Sequence, residues 1–308
     1  MRIYILGETT YDIIFKNNKP IEAKVGGSQL NTAISLGRLQ LPVSFISQFG
    51  SDVVGDICAS FIKENGIDDS FIKRNRGTSR VALAFLNENN DATYNFFKAE
   101  NSSSFIFPDV KENDIILFGS SFAMRADIRE ELSGFLNDAK AKNAIIVYDP
   151  NIRRGDIASD QEKLKIIIEN FQLATIVKGS DDDFVNIFGF TNSEEVWDEI
   201  SKSDVKCLFY TANKNGVKVH WEKGSLFLNV PVIHPVSTIG AGDNFNAGLI
   251  YSVFTKGIER NKLPFLTEED WSQIAKASIQ FAQEVCLSYE NYISAGFAEE
   301  LNRVKRET

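Results

Sequence analysis

The chain has 308 residues, is 43% hydrophobic and 24% charged, and carries a net charge of −9. These values describe a globular protein with a large core, exclude fibrous and disordered classes, and argue against a nucleic acid or an anionic membrane as partner. Cys58, Cys207 and Cys286 are odd in number, far apart and in no C-x-x-C pairing, so neither a disulfide framework nor a zinc site is expected, and thiols of this kind suit the cytoplasm.

Short apolar runs lie at residues 3–6, 43–49, 115–118, 144–148, 175–178 and 207–211, each followed by Gly, Asn, Asp or Ser. Runs of that length between turn residues predict strands buried on both faces of a parallel sheet. Helical spacing at 29–39, 127–140, 161–170 and 194–201 falls between them. The expected fold is therefore α/β: a doubly wound, mostly parallel sheet with helices on both faces. Residues 9–25 and 78–99 break the rhythm, alternating apolar and polar residues around turn chemistry at Asn17-Asn18 and 87–91, which predicts antiparallel hairpins. Together they would form a small β-sheet lid, with Phe96-Phe97 lining its inner face. No repeat or linker interrupts the chain, so the lid is expected as an insertion in a single domain spanning 1–308. Residues 243–254 and 274–285 read as apolar helices behind the crevice, and 301–308 as a charged, frayed end. No apolar run reaches membrane-spanning length, and the opening residues are too short for a signal-peptide core.

Five motifs fall at predicted strand ends. Gly7-Glu8-Thr9-Thr10-Tyr11-Asp12 ends the first strand, Gly26-Gly27-Ser28-Gln29-Leu30-Asn31 opens the first helix, and Asp149-Pro150-Asn151-Ile152-Arg153 follows a central strand. Lys178-Gly179-Ser180-Asp181-Asp182-Asp183 follows the next, and Ser237-Thr238-Ile239-Gly240-Ala241-Gly242-Asp243 opens a late helix. Strand ends on one edge of a doubly wound sheet share a ligand crevice. In the last motif, small residues let the backbone approach a ligand, and the free N–H groups of a helix's first turn attract phosphate oxygens. Asp243 beside that cradle could accept a hydroxyl proton while the amides stabilise a transferring phosphoryl group. A helix N-terminus with Asp near its cap fits the same spacing.

This set, in this order, resembles the PfkB (ribokinase-like) carbohydrate kinase family over essentially the whole chain, and within it the fructokinase and sugar-kinase branch. The resemblance implies transfer of the ATP γ-phosphate to a sugar hydroxyl, with ATP and Mg²⁺ as cofactors. It makes Asp243 the base and the amides of Gly240, Ala241 and Gly242 the anion hole. Asp12, Gly27 and Asn31 match sugar-binding positions, Arg153 a group that holds sugar or phosphate oxygens, and Lys98 a lid residue set against the substrate. On their own, Asp12 and Asp-Pro-Asn read as turn residues and Lys98 as an exposed lysine.

On the nucleotide side the resemblance places Lys178, Ser180, Thr211, Gly216, Gly240 and Gly242, with Asp183 acting on Mg²⁺ through water. A helix capped by Ser180 with acids in its first turn satisfies the same residues. Several positions depart from the family pattern: Ser180 and Asp183 stand where many relatives carry Asn and Glu, and Lys98 where they often carry Arg. Asn213 stands where the nucleotide loop has its first glycine, and Ser237 where relatives have Asp beside a monovalent-cation site, which puts a potassium requirement in doubt. Asn tolerates left-handed backbone, so the loop can survive. His220 and His234 lack metal-ligand spacing and read as structural.

The partners expected are a small sugar, a fructose-like ketose or sugar acid, together with ATP and a second copy in a homodimer. The alternatives are a nucleoside kinase of the same fold and a non-catalytic sugar-binding regulator. A nicotinamide dehydrogenase is disfavoured because Gly7-Glu8-Thr9-Thr10 lacks the glycine fingerprint.

Overall fold

The computed structural model describes residues 1–88, 92–97, 104–152 and 160–307. In chain order they form β1 (Ile3–Leu6), β2 (Thr10–Lys16), β3 (Lys19–Gly26), α1 (Ser28–Arg38), β4 (Val43–Gly50), α2 (Val53–Glu64), β5 (Ile72–Asn75), β6 (Val81–Leu86), β7 (Ala92–Phe97) and β8 (Ile115–Gly119). There follow α3 (Ser120–Ala123), α4 (Arg129–Ala141), β9 (Ile145–Asp149), α5 (Gln161–Leu173), β10 (Ile176–Ser180), α6 (Asp181–Phe188), α7 (Ser193–Ile200) and β11 (Cys207–Thr211). The chain closes with β12 (Val217–Trp221), β13 (Gly224–Leu228), α8 (Ala241–Thr255), α9 (Glu268–Cys286) and α10 (Ala295–Glu307).

All six apolar runs are strands of one nine-stranded sheet, in the order β13-β12-β11-β10-β9-β8-β1-β4-β5. The sheet is parallel from β11 to β5, while β12 and β13 extend it as an antiparallel edge hairpin. The chain passes from β1 to β4 on one side and returns later to β8 on the other. That reversal is the switch point at which such sheets bind ligands outside their C-terminal ends.

Helices cover both faces because successive side chains of these strands point opposite ways and both sets are apolar. Ile3, Ile5, Val147, Ile176 and Phe209 pack towards α1, α8 and α9. Tyr4, Leu6, Phe118, Tyr148 and Val177 pack towards α4 and α5. Trp271 of α9 is fully buried between Phe209 and Trp221, ring centroids 5.9 and 6.5 Å away.

The two alternating segments form a separate four-stranded sheet, β3-β2-β6-β7. Its β2–β3 and β6–β7 pairs are antiparallel hairpins, but β2 and β6 run parallel, Tyr11 opposite Val81 through Lys16 opposite Leu86. Phe96 and Phe97, expected together on the inner face, are 48% and 58% exposed. Adjacent strand residues point to opposite faces, so the pair cannot share one. Only Phe96 turns towards the crevice side, beneath the Arg80 guanidinium at 5.5 Å.

Other expectations are also corrected. Residues 301–307 do not fray but continue α10. The helix expected at 274–285 begins earlier, at Glu268, where Thr267 and Asp270 form a reciprocal capping box.

Candidate active site

Helix α8 starts at Gly240, whose φ of 82° lies in the left-handed region, and an added Cβ there would fall 2.7 Å from the Asn291 carbonyl oxygen. Only glycine fits both constraints. Asn244 fastens this turn from within: its Nδ2 donates to the carbonyls of Gly240 and Asn291, each at 2.8 Å, and its Oδ1 accepts from Ser35 Oγ at 2.5 Å. Of the expected anion-hole amides, Ala241 is committed elsewhere, donating to the Thr238 carbonyl at 3.3 Å. The N–H groups of Gly240, Gly242 and Asp243 have no partner among the described residues. Open donors at a helix N-terminus are the physical requirement for holding an anion.

Asp243 is buried and held from α1. Ser28 Oγ donates to its Oδ1 at 2.6 Å, Asn31 Nδ2 to its Oδ2 at 2.8 Å, and Thr32 Oγ1 to its backbone carbonyl at 2.7 Å. Asn151 Nδ2 in turn donates to Ser28 Oγ at 2.9 Å. Burial raises the Asp243 pKa to about 6, against the hydrogen bonds from Asn31 and Ser28; Asp149 adds to the rise and Lys178 opposes it.

The N-terminus of α1 is brought there by the glycine pair. Gly27 has φ 142°, and a Cβ would sit 2.2 Å from the Glu8 carbonyl oxygen. Gly26 lies against the Asp12 carboxylate, with its virtual Cβ 2.9 Å from Oδ2. Asp12, Gly27, Asn31 and Asp243 are thus gathered at one mouth, with Asp12 reaching it from β2 of the small sheet. Lys98 and Arg153 lie outside the described residues.

Below this mouth, Lys178 Nζ donates to Asp149 Oδ2 at 3.0 Å, and Asn246 Nδ2 donates to the same oxygen at 2.6 Å. Burial pulls the Lys178 pKa down, but the carboxylates of Asp149 and Asp183 outweigh it and the net shift is upward. Asp183 and Ser180 form the capping box of α6. The Asp183 carboxylate accepts from the Ser180 amide at 2.6 Å, Ser180 Oγ at 2.7 Å and the Ile152 amide at 2.5 Å. Three of its roughly four lone-pair positions are therefore engaged with the chain. No cluster of three His, Cys, Asp or Glu side chains suited to a metal occurs among the described residues.

Across β11, Thr211 Oγ1 donates to the Gly179 carbonyl at 3.3 Å. Gly216 has φ 109° and packs under the Phe227 ring, while Asn213 adopts φ 49°, the left-handed geometry that Asn accepts. Ser237 Oγ accepts from the Ile239 amide at 3.2 Å. A hollow of about 510 Å³ between β13 and α9, lined by Leu226, Phe227, Pro231, Lys276 and Ile279 among others, includes none of the expected site residues. His220 is buried with Nε2 2.9 Å from Ser193 Oγ, and His234 is exposed. All three cysteines are free and buried.

Sequence reasoning missed Ser28, Thr32, Asn244 and Asn246. Their signal was present as polar residues at inward positions of two apolar helices. It missed Glu8 and Arg80 as well, which form an ion pair between the end of β1 and the entry to β6, with Ser121 Oγ donating to Glu8 Oε2 at 2.8 Å.

Against known proteins, residues 2–294 match the pattern described as pfkB family carbohydrate kinase. The probable fructokinase-2 of Arabidopsis thaliana is 27% identical over 240 residues, covering 74% of this chain and 72% of that protein. The fructokinase of Vibrio alginolyticus is 22% identical over 255 residues, covering 81% and 83%. Among solved structures, fructokinase with bound ATP from Xylella fastidiosa superposes with a TM-score of 0.83 at 19% identity, covering 99% of both chains. Aminoimidazole riboside kinase from Salmonella enterica superposes with a TM-score of 0.81 at 17% identity, covering 99% and 100%. At such identities the superpositions establish the shared fold.

Proposed function

The chain belongs to the pfkB family of carbohydrate kinases, and from that premise we propose that it transfers the γ-phosphoryl group of ATP to a hydroxyl of a small sugar, a fructose-like ketose or a sugar acid. The observation that carries this reading is the position of Asp243. Its carboxylate lies in the first turn of α8 beside three open N–H groups and is fixed at both oxygens by α1.

The acceptor would rest between Asp12, the Gly27 backbone and Asn31, with its reacting hydroxyl towards Asp243. Asp243 is ionised above about pH 6, so at neutral pH it takes the hydroxyl proton as the oxygen attacks phosphorus. The Gly240, Gly242 and Asp243 amides, supported by the helix dipole, hold the transferring phosphoryl oxygens. Arg153 and Lys98 complete the acceptor side in this proposal, and Ser180, Thr211 and Gly216 the nucleotide side. Mg²⁺ would arrive on the ATP phosphates and neutralise part of their charge, with the remaining lone pair of Asp183 reaching it through water. Ser237 puts a neutral hydroxyl where the family pattern has a carboxylate beside a monovalent-cation site, so the assay below is run with and without potassium.

The test is phosphate transfer from ATP across fructose, ribose, tagatose, 2-keto-3-deoxygluconate and nucleosides, with and without potassium. Turnover on one sugar supports the reading and names the acceptor. Nucleoside turnover would replace it with the nucleoside kinase reading, and sugar binding without turnover would replace it with a regulator.

A further inference from the structure

Lys178 sits in the middle of β10, a strand whose inward neighbours are apolar and whose other faces are fully covered. Its side chain is 6% exposed and that of its partner Asp149 is 1% exposed. A buried pair of this kind contributes little over two well-packed apolar side chains, because desolvation offsets the attraction. Stability therefore does not account for it.

The geometry does. Asp149 Oδ2 accepts both Lys178 Nζ and Asn246 Nδ2, so strand β9 ties β10 to the first turns of α8. Asp149 is the only hydrogen-bond partner of Lys178 among the described residues, which leaves two of the ammonium's three N–H groups open. A Cβ on Gly242 would lie 3.0 Å from Lys178 Nζ, and Gly242 itself is exposed. The absent side chain leaves the space between the helix's first turn and the ammonium unfilled.

Resting on the reading of Asp243 as base, we infer that Asp149 and Asn246 are positioning residues: they hold the Lys178 ammonium beneath Gly242, where its charge acts on the Asp243 carboxylate and on an anion at the N-terminus of α8. The groups that face Asp243 are Asp149 from β9 and Lys178 from β10, with Asp183 of α6 beyond Lys178. From α1 come the uncharged Ser28, Asn31 and Thr32. Burial is the largest influence on Asp243; of the two charges that follow, Asp149 favours the protonated carboxyl and Lys178 the ionised one. The pair thus sets the acid limb of the reaction by opposing signs.

The test is a ¹³C NMR titration of the aspartate carboxyls in the ligand-free protein, with Asp243 identified by the signal that Asp243→Asn removes, run beside the pH dependence of kcat/KM. Lys178→Met is expected to raise the Asp243 midpoint and Asp149→Asn to lower it, since removing a nearby cation disfavours a carboxylate and removing a nearby anion favours it. The acid limb of kcat/KM follows in the same directions. Should Lys178→Met leave Asp149 too costly to bury for the chain to fold, the neutral pair Lys178→Met/Asp149→Asn measured against Asp149→Asn isolates the lysine and is expected to titrate higher. Unchanged midpoints, or two single variants that shift the same way, would overturn the inference. The titration needs no turnover. The expected shifts in a protein that phosphorylates none of the sugars would overturn the proposed function alone, and sugar turnover with flat titrations would overturn this inference alone.

Discussion

Burial raises Asp243 to a pKa of about 6 from an ordinary 3.8, and this has consequences for both stability and rate. A folded-state pKa above the unfolded one means that the native protein holds the proton more tightly. The contribution to stability is therefore complete below about pH 4 and is lost as pH rises through 6. At neutral pH the ionised carboxylate costs on the order of 3 kcal/mol. Asp243→Asn removes that cost, and Asn31 can accommodate it because its own Oδ1 has no partner and the amide can turn over. The variant is expected to melt above wild type at pH 7, with the gap closing near pH 4, while turnover falls to background; thermal melts at the two pH values check the first part. A lower melting temperature at pH 7 would mean that the hydrogen bonds to the carboxylate outweigh its burial. In wild type, kcat/KM should fall about tenfold per pH unit below 6. Part of this residue-level geometry was legible beforehand: glycines before an acid at a helix start predict open N–H groups with a carboxylate beside them, in a cradle or a plain cap alike. The commitment of the Ala241 amide was not, because it depends on the turn at Thr238, which no spacing rule specifies.

Between elements, the decisive joint is α1 against α8, where two helix N-termini meet at Asp243 and again at Ser35 and Asn244. A second joint governs the small sheet. Asp52 caps α2 by accepting the Gly55 amide at 2.9 Å, and the same carboxylate accepts the Ser79 amide and hydroxyl at 2.9 and 2.6 Å, just before β6. One residue thus ends a loop, starts a helix and pins the entry to the lid. Asp52→Ala should lose the cap, worth ~1 kcal/mol, and leave the Ser79 donors without their acceptor, for a total of about 2–3 kcal/mol by chemical denaturation. The sugar KM should rise more than the ATP KM; equal changes in both would separate the hinge from the acceptor mouth. Strands buried on both faces were readable from sequence because composition alone marks them. The parallel β2–β6 pairing was not, since alternation sets which side chains share a face and says nothing of strand direction. The edge hairpin β12–β13 also escaped, because β13 is largely exposed and β12, though buried, interleaves Lys218 and His220 with its apolar residues.

At the scale of the molecule, Val25 of β3 and Tyr11 of β2 join the small sheet to the main core, and polar contacts at two ends complete the joint. Glu8 pairs with Arg80 at one end. At the other, Lys24 of β3 donates to the Tyr289 carbonyl at 3.0 Å and lies 3.7 Å from Glu290. Those two residues adjoin Asn291, the residue whose carbonyl receives Asn244 and abuts Gly240. Under the proposed function, the strand over the acceptor is thereby joined, through one loop, to the turn that would cradle the donor. This joint predicts a coupling free energy between the two proposed ligands, and linkage makes it symmetric: whatever factor sugar adds to nucleotide affinity, nucleotide adds to sugar affinity. Calorimetric titration of a non-hydrolysable ATP analogue with and without sugar should show tighter binding in the sugar's presence, and Lys24→Met should reduce that factor towards one while each ligand alone binds as before. Under the proposed function, the loop at 289–291 would act as a shaft between two gears, and a kinase so coupled would spend little ATP on water while it waits for its sugar.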